Sequence, residues 1–164
     1  MNTMKITRIY VDTSVIGGCC DFEFKEWSVG LLSDFRRGVF SLVLSSLTDA
    51  EIRDAPDEVK KVYKKFRVCE HEFLDLDAES IELADTYIDR DVLSLNYMDD
   101  ARHIAMATVA DVDILVSWNF RHIVHFDKIR LWDEIHVHAL RQCGTTSPMT
   151  SSVTSTFKCR IKAR

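Results

Sequence analysis

The stretch TRIYVDTS, from Thr7 to Ser14, is an apolar run of strand length that ends in a carboxylate and two hydroxyl side chains. This run predicts a first β-strand over 7–11 that ends at Asp12. Later apolar runs predict three more strands, Phe40–Leu47, Phe73–Leu76 and Val112–Ser117. Helical spacing of apolar residues marks the segments between them, Glu26–Arg37, Thr48–Ala55, Asp57–Phe66, Ala78 to about Arg90, and about Tyr97 to Ala110. Strands that alternate with helices predict an α/β domain with a mainly parallel sheet, because parallel crossovers need such helices.

The first of these predicted helices carries apolar residues at every fourth position, Trp27, Leu31 and Phe35. We expect this row to face the core, and Gly38 is a suitable residue to end the helix.

Length and composition restrict the class of protein. The chain has 164 residues, 46% hydrophobic and 29% charged, which is typical of one globular domain. No apolar run approaches the 18 residues of a membrane span, and no apolar signal segment precedes the first strand. The five cysteines form no CxxC pair, so we expect a cytoplasmic protein without a disulfide framework or zinc knuckle.

Charge divides the chain at about residue 140. Residues 141–164 carry five basic residues and no acidic one, whereas the net charge of the whole chain is −5. We therefore predict an acidic domain over 1–140 and a polar, basic tail over 141–164. The tail is either a disordered appendage, a weak edge strand or an arm that contacts RNA. An acidic domain does not attract a polyanion by its net charge, so such a substrate would need cations or a local basic patch.

Oxygen-bearing side chains follow the predicted strands or begin the helices beside them. Asp12 follows the first strand, Glu51 lies in the helix after the second, Asp100 begins the helix before the fourth, and Asn119 follows the fourth. In parallel sheets, ligands bind outside the carboxyl ends of the strands. Carboxylates that cluster there repel one another unless a cation neutralises them, and hard oxygen ligands suit Mg²⁺ or Mn²⁺. Such a site can activate water for attack on a phosphodiester.

Four ordered motifs resemble those of the PIN-domain nucleases, and within them the VapC-like toxins of type II toxin–antitoxin pairs. The motifs are Ile9–Ser14, Leu47–Ile52, Asp100–Ala105 and Ile114–His122, and they span most of the domain. The resemblance implies a PIN-like three-layer α/β/α sandwich. It also implies a metal-dependent hydrolase, an endoribonuclease that cleaves single-stranded RNA with metal-activated water to give a 5′-phosphate and a 3′-hydroxyl. Its further implications are a small antitoxin partner and a homodimer.

By motif position, the resemblance makes Asp12, Glu51 and Asp100 the catalytic, metal-binding acids. Asn119 stands where many family members carry a fourth catalytic, metal-binding acid. Its amide oxygen can still contact a metal ion but carries no negative charge. The alternative function is therefore a catalytically impaired PIN-like scaffold that binds RNA or protein. An aspartyl-phosphate enzyme is disfavoured, because Asp12-Thr13-Ser14 lacks the second aspartate of the DxD pattern.

Each candidate residue also has a purely structural interpretation. Asp12 could turn the chain or cap a helix, and Glu51 follows Thr48 at the spacing of a capping box. Asp99 follows Asn96 at a capping distance, so we interpret Asp99 as structural. Three hydroxyl residues are supporting candidates, Thr13, Ser14 and Ser117, and they either cap helices and bond loops or orient Asp12. Arg121 and His122 are the candidates for contact with RNA. The aromatic residues Phe22, Phe24 and Trp27 either stack on bases or pack the core.

Overall fold

The computed structural model describes residues 6–119. The predicted tail, Arg121, His122 and the boundary at residue 140 lie outside the described residues. The strands are β1 (Arg8–Val11), β2 (Ser41–Ser45), β3 (His71–Leu74) and β4 (Ile114–Val116). The helices are α1 (Thr13–Gly18), α2 (Lys25–Arg36), α3 (Ser46–Arg53), α4 (Asp57–Arg67), α5 (Ala78–Asp89) and α6 (Met98–Val109), and a 3₁₀ turn (Leu95–Tyr97) precedes α6.

The four strands form one sheet in the order β3-β2-β1-β4, and each neighbouring pair is parallel. Ile9 of β1 is in register with Leu42 of β2 on one side and with Ile114 of β4 on the other. Three consecutive residues of β1, Ile9 to Val11, are buried, as expected of a central parallel strand that is covered on both faces. The predicted α/β class and parallel sheet are confirmed.

The described residues group into two compact units. The first unit contains residues 6–75 and 112–118, and therefore all four strands and helices α1 to α4. Its apolar core lies on the sheet face that carries Ile9 and Val11, and includes Phe35 of α2, Ile52 of α3 and Phe66 of α4. The second unit contains residues 76–111 and 119, in which α5 and α6 pack against each other. No helix among residues 6–119 has the length and apolar character that crossing a bilayer requires.

Several predicted boundaries are wrong by about two residues. Strand β3 begins at His71, so the predicted strand from Phe73 to Leu76 starts too late. Helix α3 begins at Ser46 because the hydroxyl of Ser45 accepts a hydrogen bond from the backbone N–H of Thr48, 3.2 Å away, and thereby caps the helix. Helix α1 was not predicted, since its six residues are too short to show a helical period.

The predicted buried row of α2 is correct at Phe35 and partly at Leu31, which packs against the core, but wrong at Trp27. The row that faces the core is Ser28, Leu32 and Phe35, whereas Trp27 is 55% exposed. Ser28 can be buried because its hydroxyl accepts a hydrogen bond from the indole N–H of Trp118 at 2.9 Å. Gly38 lies just beyond the end of α2 with φ of +69°, so the expectation that it ends this helix is correct.

Candidate active site

The strand order locates a ligand-binding edge in the first unit. From β1 the chain proceeds outward through β2 to β3, and then β4 pairs with the other side of β1. The order therefore reverses between β1 and β4, and the carboxyl ends of strands at such a reversal flank the crevice where α/β proteins bind ligands. Asp12 directly follows β1, and Ser117 directly follows β4.

The Asp12 side chain is buried and held by two hydrogen bonds. Its Oδ1 atom accepts from the backbone N–H of Val15 at 3.2 Å and from the Ser14 hydroxyl at 2.6 Å. Asp12 is thus the N-cap of α1, and only 4% of the residue is exposed. The capping alternative from the sequence is therefore realised. A buried carboxylate held in one orientation by two donors also has the fixed geometry that a ligand needs.

Glu51 approaches the same place from α3. Its Oε2 atom accepts a hydrogen bond from the hydroxyl of Thr13, the residue that follows Asp12 in the chain. The capping-box interpretation of Glu51 is wrong, because Ser45 caps α3 and Glu51 lies past the first turn of this helix. The Glu51 side chain is half-buried and faces the N-terminus of α1.

Tyr10 is a buried tyrosine whose pKa is raised in part by these two carboxylates. Its hydroxyl is buried and lies 2.7 Å from the Ser45 hydroxyl. Burial raises the pKa of Tyr10 far above its ordinary value, and the negative charges of Asp12 and Glu51 raise it further. Both carboxylates therefore act on one side chain. Sequence reasoning missed Tyr10, although residues 10 and 12 project to the same side of an extended chain.

The Ser14 hydroxyl connects the ends of β1 and β4. It donates to Asp12, accepts from the backbone N–H of Trp118 at 2.8 Å, and lies 3.3 Å from the Ser117 hydroxyl. One hydroxyl has a single proton and two acceptor lone pairs. Because the proton of Ser14 points at Asp12, the Ser117 hydroxyl donates to Ser14. Ser14 therefore bonds both Asp12 and Ser117, while Thr13 bonds Glu51 separately.

The second unit carries Asp100 and Asn119. Asp100 is half-buried in the first turn of α6, whereas Asp99 is exposed and pairs with Arg102 at 3.2 Å. The expectation that Asn96 caps this helix is wrong, because Asn96 lies in the 3₁₀ turn and the N-cap, Tyr97, makes no capping bond through its side chain. The structural role of Asp99 agrees with its surface ion pair. The grouping of Asp100 and Asn119 with Asp12 and Glu51 stays a prediction.

The donor chemistry of the first unit fits a hard divalent cation. Within residues 6–119, no group of three or more His, Cys, Asp and Glu side chains is arranged to hold a metal ion. What the first unit brings together is a pair of carboxylates, Asp12 and Glu51. Mg²⁺ is commonly held by one or two carboxylates together with substrate phosphates and water, so this pair suits Mg²⁺ or Mn²⁺.

Comparison with known proteins identifies the fold. No protein-family model matches the sequence, and no curated protein matches it either. Among solved structures, a chain in the crystal structure of VapBC2 from Rickettsia felis, bound to a DNA fragment from their promoter, matches with a TM-score of 0.51 and 12% identity. The match covers 71% of this chain and 93% of that one. The predicted PIN-like α/β/α fold with a parallel sheet is thereby confirmed, and at this identity the likeness concerns the fold alone.

Proposed function

We propose that this protein is a metal-dependent endoribonuclease that cleaves single-stranded RNA, and that it is the toxin of a toxin–antitoxin pair. The observation that carries the proposal is the hydrogen bond to Glu51 from Thr13, the residue that directly follows the buried Asp12 at the carboxyl end of β1. The likeness to a chain of a VapBC complex supports the toxin assignment. A small antitoxin partner, a homodimer and a cytoplasmic location belong to the same proposal.

The proposed ligands of Mg²⁺ or Mn²⁺ are Asp12, Glu51 and Asp100, with the amide oxygen of Asn119 as a neutral donor. A cation bound there supplies positive charge that lowers the pKa of water and stabilises the leaving oxygen of a phosphodiester. The chain's own residues hold and orient the acids. Ser14 fixes the Asp12 carboxylate, and Thr13 fixes the Glu51 carboxylate. No side chain acts as the nucleophile, so the expected products are a 5′-phosphate and a 3′-hydroxyl.

The electrostatic argument explains why a cation belongs at this edge. Asp12 is buried and Glu51 is half-buried, so water screens the negative charges of these two carboxylates less than it would on the surface. A divalent cation offsets these negative charges, and it also allows a polyanionic substrate to approach. RNA binding to the acidic edge should therefore depend on the metal.

The test is cleavage of a fluorescently labelled single-stranded RNA with Mn²⁺, Mg²⁺ or EDTA. We expect Asp12→Asn and Asp100→Asn each to lower the rate at least 100-fold, because each removes a charged ligand but keeps the shape of the side chain. Asparagine is also a good N-cap, so Asp12→Asn should fold normally.

Two matched controls separate ligand loss from other effects. Asp99→Asn changes the neighbouring acid in the same turn of α6, and Asp77→Asn changes another capping aspartate, at the start of α5. Both should retain the wild-type rate. Equal activity in the wild type, Asp12→Asn and Asp100→Asn would reject the catalytic assignment. Absence of cleavage by the wild type together with retained RNA binding would favour the impaired scaffold.

A further inference from the structure

The indole of Trp118 is held from three sides within the first unit. Its Nε1–H donates to the buried Ser28 hydroxyl at 2.9 Å. Its ring stacks on Phe24 with centroids 5.2 Å apart and an interplanar angle of 10°. It also lies over Gly18, where a Cβ atom would approach Nε1 to 2.6 Å. A ring fixed by a hydrogen bond, a stacking partner and close backbone contact has one available rotamer.

The backbone of the same residue reaches the candidate active site. The N–H of Trp118 donates to the Ser14 hydroxyl at 2.8 Å, and Ser14 donates to Asp12 at 2.6 Å. The backbone nitrogen and the side-chain Cβ atom of one residue are both bonded to Cα. A ring that cannot move therefore fixes the place of the N–H, and this N–H occupies one of the two acceptor positions of Ser14.

We propose that Trp118 is a positioning residue that fixes the orientation of the Asp12 carboxylate through Ser14. The metal-binding consequence rests on the proposed function, whereas the orientation itself does not. Trp118 makes no hydrogen bond to the Asp12 carboxylate itself and reaches it through Ser14. Because Trp118 also directly precedes Asn119, a proposed ligand, the exchange measurement on Asp12 is the decisive one and Mn²⁺ affinity is the supporting one.

The hydrogen bond to Ser28 explains why this position needs tryptophan. Phenylalanine could stack on Phe24, but it carries no donor, so the Ser28 hydroxyl would lose its partner inside the core. Alanine would lose the stacking as well. We therefore expect a graded effect on Asp12, small for Trp118→Phe and large for Trp118→Ala, with Ser14→Ala as the direct reference.

The first measurement needs neither metal nor RNA. The amide of Val15 donates to Asp12 Oδ1 at 3.2 Å and also to the backbone carbonyl of Asp12 at 3.3 Å. The backbone bond does not depend on the carboxylate, so a difference in the hydrogen-exchange rate of this amide between variants reports whether the carboxylate keeps its orientation. In the metal-free protein, we expect Trp118→Ala and Ser14→Ala each to speed Val15 exchange about tenfold, and the double variant to be no faster than Ser14→Ala alone. Such non-additivity is the signature of two residues that act in series.

The second measurement is Mn²⁺ affinity in the absence of RNA, by electron paramagnetic resonance. Outer-shell partners of ligands are commonly worth 10- to 100-fold in metal affinity. We expect Trp118→Ala to weaken Mn²⁺ binding about tenfold and Trp118→Phe about threefold. Val59→Ala is a change in the apolar core of the first unit that removes none of the hydrogen bonds to Ser14 or Asp12. It should lower stability but leave Mn²⁺ affinity unchanged, and the rate of Val15 exchange should change no more than global unfolding does.

The outcomes separate the two proposals. If Val15 exchange responds as expected but the wild type binds no Mn²⁺, the positioning role stands and the proposed function fails. If Trp118→Ala and Ser14→Ala add in Val15 exchange, or Trp118→Ala changes it no more than Val59→Ala does, Trp118 is only a packing residue.

Discussion

Gly18 is the position where the smallest substitution should disturb the fold most. It is the last residue of α1, and a Cβ atom there would lie 2.4 Å from the Ser28 hydroxyl oxygen and 2.6 Å from the indole nitrogen of Trp118. Neither neighbour is the loose end of a flexible chain, because Ser28 is buried and Trp118 is hydrogen-bonded to it. Gly18→Ala therefore requires the indole or α1 to move.

The expected cost follows from three contributions. Forcing a methyl group into a filled space costs about 1–3 kcal/mol. Displacing the indole from Ser28 costs about 1 kcal/mol for the lost hydrogen bond. Alanine in place of glycine recovers about 0.5–1 kcal/mol through the lower entropy of the unfolded chain. The free energy of unfolding should therefore fall by about 1–3.5 kcal/mol.

The neighbouring glycine is the matched control. A Cβ atom at Gly17 meets nothing within 4 Å, so Gly17→Ala should raise the free energy of unfolding by up to about 1 kcal/mol. Urea unfolding of both variants, followed by circular dichroism, measures the difference, which we expect to be about 1–4.5 kcal/mol. Equal midpoints for the two variants would refute the close packing of Gly18 against Trp118.

Three further predictions concern other parts of the described chain. Asp77 caps α5 and accepts from the Ser80 N–H at 2.8 Å, and these hydrogen bonds from Ser80 lower its pKa. The ionised Asp77 carboxylate should stabilise the folded protein above about pH 4, and this stabilisation should be lost as the pH falls through the lowered pKa. Asp77→Ala should therefore lower the free energy of unfolding by about 1 kcal/mol at pH 7 and by much less at pH 2, as measured by thermal unfolding. Burial raises the pKa of Cys19 to about 11, so iodoacetamide at pH 8 should alkylate exposed Cys20 at least tenfold faster than Cys19, as peptide mass spectrometry would show. Mn²⁺ at 100 times its dissociation constant should stabilise the wild type by about 2.7 kcal/mol in thermal unfolding but not Asp12→Asn, and an equal shift in both would remove Asp12 from the ligand set.

The sequence was sufficient for the parallel sheet and most of its helices. Strand β1 is a buried apolar run, and α4 shows a clear apolar face with Val59, Tyr63 and Phe66 buried. These patterns are strong because a strand or helix face that is buried along its whole length requires apolar residues at regular spacing in the sequence. In α2 the prediction was wrong at Trp27 and missed Ser28, because Ser28 is buried through a hydrogen bond with Trp118, which lies 90 residues away in the chain.

The sequence predicted where Asp12 and the hydroxyls of Ser14 and Ser117 lie relative to the strands, but not the hydrogen bonds between them. Their positions were predictable because Asp12 follows β1 and Ser117 follows β4, whereas their role as a site stays a prediction. Which hydroxyl bonds which acid depends on the register between β1 and β4, where Val11 pairs with Val116. That register places Ser14 beside Ser117 and Trp118, and no local pattern in the chain encodes it.

The capping role of Asp12 and its proposed role as a ligand support each other. A buried carboxylate without partners would be costly, and α1 offers one through the N–H of Val15. This bond and the Ser14 hydroxyl both reach Oδ1, so one oxygen is committed to orienting the group. Asparagine at this position would keep the cap but lose the charge. Stability and metal binding should therefore separate in Asp12→Asn, whereas in Asp12→Ala they should fail together.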